Sequence, residues 1–358
     1  MRPILATISR RALRHNLDVA KRYADGANVW AVVKADAYGH GLMRAVTALG
    51  DADGFALLEV QSALQLRESG VRSPVLLIEG YFGIEELRVF SERGLTAVVH
   101  DEAQVRMLET ERLAVPIDVY LKINTGMNRL GFAPLRAARM VERLRACAAV
   151  RDITLMTHFA DADGPSGVAE QMQTLERAGI RDLPRSLANS AALIRYPETR
   201  ADWVRPGIML YGCSPFPDVS ADVIGLIPAM TFKSRLIAVQ ELRAGDRVGY
   251  GGTFTAKDSM RVGIVACGYA DGYPRHAPGF DDRGTPIVVA GRRTRTVGRV
   301  SMDLLFAELT SIPEASVGSE VTLWGEGLSA DEVAAASGTL SYELLCALAA
   351  RVPVKEIE

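Results

Sequence analysis

Short, continuous apolar runs recur through the first two-thirds of the chain. They read VWAVVK, GFALLE, VLLIEG, LTAVVH, IDVYLKIN, ITLMTH, RSLANS and DWVRPG, and begin near residues 29, 54, 75, 95, 117, 153, 185 and 202. Unbroken apolar runs of this length suit parallel strands covered on both faces, whereas a half-solvated strand would alternate. The segments between them carry helix formers at helical spacing, as in VQSALQLRESG before Val71. This repetition of strand and helix predicts an α/β fold: an N-terminal (β/α)8 TIM-type barrel, with about seven to nine strands fitting the pattern.

After Gly212 the pattern changes. A proline-bearing connection, CSPFPDVSADVIGLIP, leads into alternating, β-branched runs: MTFKSRLIAVQEL, RVGIVAC, TPIVVAG, RTRTVGRV and DLLFAEL. Glycine-rich turns separate them, which predicts a mainly β C-terminal domain with a closing helix over Tyr342–Ala350. The expected division is residues 1–226 and 227–358. Near the start, Ser9 has the place of a helix N-cap, with Leu13, Leu17, Ala20 and Ala24 forming one apolar face behind it.

Polar residues end most of the runs: Lys34, Glu59, Glu79, His100, Asn124, His158, Asn189 and Arg205. In a parallel barrel the C-terminal strand ends build the active site, so these residues should form a ring around one mouth. The two glutamates also fit as simple boundary residues.

Composition narrows the function. A formal charge of −2 gives no electrostatic case for nucleic acid or an anionic membrane surface. No apolar run approaches a membrane span. The start, MRPILATISRRALRHN, lacks the apolar core of a secretory signal. The four cysteines, Cys147, Cys213, Cys267 and Cys346, are scattered with no CxxC pair. Together these features predict a cytoplasmic protein with reduced thiols and no metal site.

The densest chemistry lies in AVVKADAYGHG, Ala31–Gly41. A lysine at the end of a buried strand carries an ammonium that is costly to desolvate, and the neutral amine is a nucleophile. That is what a Schiff base with an aldehyde cofactor requires. A lysine that merely extends its head to solvent would look the same from these residues alone.

The motif resembles the cofactor-lysine segment of bacterial alanine racemases. The resemblance continues through LKINTGMNRLGF (121–132), THF (157–159), WVRPGIMLYG (203–212), VGYG (248–251), GYADGYPR (268–275), GRVSMD (298–303) and LSYELLC (340–346). It implies a pyridoxal 5′-phosphate enzyme built as a barrel plus a β domain. It also implies a homodimer in which each site is completed by the partner's β domain.

By this resemblance Lys34 binds the cofactor and then acts as one acid/base. Racemisation must remove a proton from one face of Cα and return one to the other, so a second base is needed on the opposite face. The resemblance makes this Tyr250, from the partner subunit. Arg205 is implied to face the pyridine nitrogen, with His158 beside it. Because arginine does not readily lose its proton, such a contact leaves the ring nitrogen unprotonated and the electron sink weak. Ser190 and the backbone N–H groups of Gly207 and Ile208 are implied to hold the phosphate, with Tyr38 and Tyr342.

Arg129 is implied near the cofactor's phenolate and the substrate carboxylate, and Met302 offers a backbone N–H to that carboxylate. Lys122 matches a lysine that many family members carry as a carbamate. Tyr269, Asp163, Arg275 and Arg299 are implied along the entrance. Serine or broad-specificity racemases remain neighbouring readings. So do a same-fold decarboxylase, which would favour a carboxylate where Arg205 stands, and a non-catalytic cofactor-binding protein.

Overall fold

The computed structural model describes residues 2–280 and 283–358, in two compact units. One comprises residues 14–37 and 41–210. The other comprises the chain up to Leu13, Tyr38–His40 and Tyr211–Glu358.

The first strand, β1 (Leu5–Ser9), belongs to the second unit. The first unit is a closed, all-parallel barrel of eight strands. These are β2 (Asn28–Val32), β3 (Gly54–Leu57), β4 (Val75–Leu77), β5 (Thr96–Val99), β6 (Ile117–Lys122), β7 (Val150–Met156), β8 (Arg185–Ser186) and β9 (Trp203–Val204). All eight expected runs are strands, in the expected order. Closure comes from β9 returning to β2, with Asn28 opposite Trp203 and Val29 opposite Val204. The four residues of β3 and of β5 are buried throughout, which is why these runs show no alternation. Trp30 stacks on Trp203 at 4.4 Å and donates its indole N–H to the Tyr120 hydroxyl at 3.0 Å.

The second unit is an antiparallel assembly around β10 (Met230–Leu242), the run predicted as MTFKSRLIAVQEL. One stretch of β10 pairs with Glu320–Trp324 and another with Met260–Val265. A register shift between Leu236 and Ala238 lets one long strand serve both neighbours. Because Met260–Val265 also pairs with Leu305–Glu308, six strands of this sheet form a closed ring.

Two expectations change. β1 pairs antiparallel with β10 and parallel with Val354–Ile357, so the first thirteen residues belong to the second unit, not the barrel. Strands at the two chain ends pair only through tertiary contact, which no local pattern reports. The closing helix is also shorter, spanning Ser341–Cys346, since beyond it the Ala349 N–H turns away to the Asp271 carbonyl. Ser9 does cap: its Oγ accepts the Ala12 N–H at 3.1 Å, at the start of the helix Arg10–Ala24. None of the four cysteines is in a disulfide.

Candidate active site

Four barrel strands, β2, β4, β5 and β6, bring a side chain at or just past their C-terminal end to one cavity: Lys34, Glu79, His100 and Lys122. The Val32 N–H bonds the Pro206 carbonyl and the Val33 N–H the Ala56 carbonyl, which fixes the backbone one residue before Lys34. Beyond Lys34 the chain enters a left-handed turn. Ala35, Asp36, Ala37 and Tyr38 all have φ between 51° and 54°. For L-residues this costs roughly 1–2 kcal/mol each, and runs of it are rare. The turn is held by three bonds: the Ala37 N–H to the Val33 carbonyl, the Gly41 N–H to the Asp36 carbonyl, and the Leu42 N–H to Asp36 Oδ1 at 2.6 Å. Strain maintained in this way clusters at functional positions, and here it follows the predicted nucleophile directly.

A cavity of about 320 Å³ opens onto Lys34, Lys122, Arg129, Glu79 and His100, with Leu58 among its apolar walls. Lys122 is only 5% exposed. Burial, and then the positive charges of Arg205 and Arg129, pull its amine down to about 8 from 10.5. Among the described residues no carboxylate lies within ion-pair distance of it. Arg129 sits on a loop fixed from within. Asn124 Oδ1 accepts the N–H groups of Gly126 and Asn128, and the Phe132 N–H bonds the Lys122 carbonyl. Gly131 has φ +119°, and a Cβ there would press on the Lys122 carbonyl.

Arg205 is fully enclosed. Its guanidinium donates to Ser186 Oγ at 2.7 Å, to the Thr157 carbonyl at 2.7 Å and to the Leu187 carbonyl at 3.1 Å. All three acceptors are neutral. Burial pulls it down to about 10, so it is still a cation at neutral pH. His158 is held well below its ordinary value, by burial first and then by Arg205, Arg129, Lys122 and Lys34, so it is neutral. Ser190 Oγ accepts the Gly207 N–H at 2.9 Å, which brings the two halves of the expected phosphate cradle together.

The ring of strand-end residues therefore divides by role. Lys34, Glu79, His100, Lys122 and Arg129 share the cavity, and Arg205 and His158 lie in the adjoining electrostatic field. Asn189 instead caps a helix, accepting the Ala192 N–H, and Glu59 stands at a helix start without a side-chain cap bond. The His100 ring donates to the Glu79 carbonyl.

Sequence reasoning missed three polar organisers. Ser186 orients Arg205. Gln104 accepts the His100 N–H and donates to the Glu79 and Tyr81 carbonyls. Gln171 donates to Thr125 Oγ1 and the His158 carbonyl, and accepts the Ala160 N–H. Gln104 and Gln171 satisfy backbone groups near strand ends and Ser186 holds the Arg205 side chain, so only their polarity within otherwise apolar surroundings could have marked them.

Two family descriptions match the chain in tandem: "Alanine racemase, N-terminal domain" over residues 8–215 and "Alanine racemase, C-terminal domain" over residues 229–356. The chain belongs to the alanine racemase family. It is 57% identical over 355 residues to an alanine racemase of Nitrosospira multiformis, covering 98% of each chain. It is 55% identical to one of Ralstonia pickettii, covering 99% of this chain and 95% of that one. Among solved structures, the biosynthetic alanine racemase of Pseudomonas aeruginosa superposes with a TM-score of 0.96 at 45% identity, over the full length of both chains. That of Acinetobacter baumannii gives 0.93 at 38%, again over both full lengths.

In this family member the other expected residues fall in the second unit, apart from Ile208, which is buried in the barrel unit, and Asp163, which is exposed on it. Tyr38 stacks on Tyr211 at 4.6 Å and lies 6.0 Å from Tyr342. Burial, and then Cys346, raises the Tyr38 phenol, which stays protonated and able to donate. Tyr250 is 72% exposed, Met302 53% and Tyr269 38%. Arg247 donates to the Gly251 and Gly252 carbonyls beside Tyr250, and Arg299 lies against Gly251. Arg275 and Arg299 are exposed. Among the described residues no group of three or more His, Cys, Asp or Glu side chains could hold a metal ion, and no helix is long and apolar enough to cross a membrane.

Proposed function

We propose that the protein interconverts L-alanine and D-alanine with pyridoxal 5′-phosphate, as a cytoplasmic homodimer with shared active sites. The observation that carries this is the excess of cationic groups at the barrel mouth. Lys34, Lys122 and Arg129 line one cavity, and Arg205 is buried on neutral acceptors alone. Such a donor set fits a group bearing a phosphate and a phenolate together with a substrate carboxylate. When bound, the cofactor supplies the electron sink that makes the Cα proton removable.

The residues of this chain do the rest. Lys34 provides the amine that anchors the cofactor and later moves a proton at one face of Cα. Ser190, whose hydroxyl hydrogen remains to be donated, and the N–H groups around Gly207 and Ile208 hold the phosphate. Arg205 keeps its own proton and so gives none to the ring nitrogen, which limits side reactions. A carboxylate there would suit the decarboxylase reading, and among the described residues none lies within ion-pair distance of Arg205. Tyr250 and the Met302 N–H act from the partner's β domain, whose exposed Tyr250, Tyr269 and Met302 fit that use.

Incubation with L-alanine or L-serine, with and without added cofactor, followed by chiral separation, tests the proposal. Cofactor-dependent D-alanine formation well above D-serine formation is expected. A preference for serine, or CO2 release without inversion, overturns it.

Lys122 completes the charge balance as a carbamate. An amine near 8 is partly neutral at pH 7, and only the neutral amine adds CO2. Intact mass measured under bicarbonate should carry one extra CO2, which Lys122→Met removes. Without CO2, the unfolded chain binds more protons than the folded one between about pH 8 and 10.5, so the Lys122 contribution makes stability rise with pH across that window. Carbamylation abolishes this rise, and a bicarbonate-independent rise with no mass increment rules the carbamate out.

A further inference from the structure

Asp271 is fully buried and sits at the centre of a charge network outside the reacting centre. Arg2 donates to it through both terminal nitrogens, at 2.7 and 3.0 Å, and Arg351 adds a third bond at 2.8 Å. Arg351 also donates to the Asp303 carboxylate at 2.6 Å, and Arg2 to the Asp303 carbonyl at 2.8 Å. Two guanidinium groups and two carboxylates thus make a neutral quartet. Burial alone would raise the Asp271 carboxyl, but bonds from Arg2, Gly268 and Arg351 hold it below its ordinary value.

The quartet spans two loops. Asp271 belongs to GYADGYPR and also accepts the Gly268 N–H at 2.9 Å, closing the turn that carries Tyr269. Asp303 belongs to GRVSMD, next to Met302. The loops touch along their backbones, with the Tyr269 N–H on the Ser301 carbonyl and the Ala270 N–H on the Met302 carbonyl, both at 3.0 Å. They lie so close that a Cβ on Gly268 would collide with the Ser301 and Met302 carbonyls. Apolar packing could hold two loops together, but it is non-directional. Forked guanidinium–carboxylate bonds fix one register.

We propose that Asp271 is a positioning residue for substrate binding and selectivity, setting the loop of Tyr269 against the loop of Met302 through Arg2 and Arg351. This rests on the reading that Tyr269 and Met302 face substrate. Asp271 itself touches none. Its removal leaves Arg2 and Arg351 without their shared acceptor and lets the two loops slide.

The test is steady-state kinetics of cofactor-loaded Asp271→Asn, Arg351→Lys and Tyr269→Ala, and of Asp271→Asn combined with Tyr269→Ala, on L-alanine and L-serine, alongside thermal unfolding. Asp271→Asn should raise the alanine KM about tenfold and relax the alanine-over-serine preference several-fold, with kcat per folded site within about threefold, since sub-ångström misplacement acts first on binding geometry. Tyr269→Ala should relax the same preference, and the double variant should fall short of the product of the singles. Unchanged KM and preference in Asp271→Asn, with only melting temperature or active fraction lowered, overturns the proposal. So does a shift in Asp271→Asn with none in Tyr269→Ala, or strict additivity. If Tyr269→Ala shifts preference and Asp271→Asn does not, the substrate-facing reading survives and the positioning role fails; if neither does, that reading fails as well. Should Asp271→Asn not fold, Arg351→Lys decides by the same criteria, because it keeps the charge and loses the fork that joins Asp271 to Asp303.

Discussion

Tyr250→Phe lowers racemisation by about a thousandfold, the middle of the range for a positioned acid/base group. The fold is unaffected. Tyr250 is 72% exposed on its own chain, so loss of one hydroxyl there changes stability by no more than about 0.5 kcal/mol. The informative result is an asymmetry. With Lys34 still in place, exchange of the Cα proton with deuterated solvent continues from one enantiomer and is suppressed from the other. A single base on one face would lose both exchanges together, so equal suppression overturns the two-base scheme. Mixing Tyr250→Phe subunits with Lys34→Ala subunits adds a second check. If the tyrosine acts across the dimer, the mixed dimer regains up to one working site from two inactive parents.

Lys34→Ala carries the larger effect. It removes both the cofactor's covalent anchor and one acid/base, so racemisation falls by about ten-thousandfold or more. Borohydride reduction followed by denaturation should leave cofactor mass on the parent protein and none on the variant. Retained mass would place the covalent bond elsewhere. The electrostatics change as well. Lys34 is one of the charges that push down Lys122, and its loss lets that amine rise toward its ordinary value. Carbamylation of Lys122 in Lys34→Ala should therefore need more bicarbonate at a given pH. An unchanged bicarbonate requirement would mean that burial and the two arginines alone set the Lys122 amine.

Much of the site is legible along the chain because a parallel barrel gathers its strand ends at one rim. Lys34, His158 and Arg205 each follow a short buried run, and the fold converts that local position into a shared one. What is less legible is the use each side chain finds. Asn124 and Asn189 occupy the same kind of position as Lys34, yet both bind backbone N–H groups in loops and caps. The left-handed turn after Lys34 has no sequence signal of its own, since two of its four residues are alanine. It exists because Val33, Gly41 and Leu42 tie it down from outside, the last two through Asp36.

Periodicity and the residues at run ends were sufficient for the barrel, the β-rich second part and the lysine-centred chemistry, because buried strands and their termini are local features of composition. Tertiary structure alone settles the rest. It pairs the first strand with β10 and with Val354–Ile357, encloses Arg205 among neutral acceptors, brings Arg129 and Arg205 to bear on Lys122, and brings Arg2, Asp271, Asp303 and Arg351 into one quartet. The strand pairing depends on backbone groups meeting from distant segments and the others on desolvation and on charges doing so, and electrostatic energy is set by distance in space and by burial, neither of which is written at any single position of the chain.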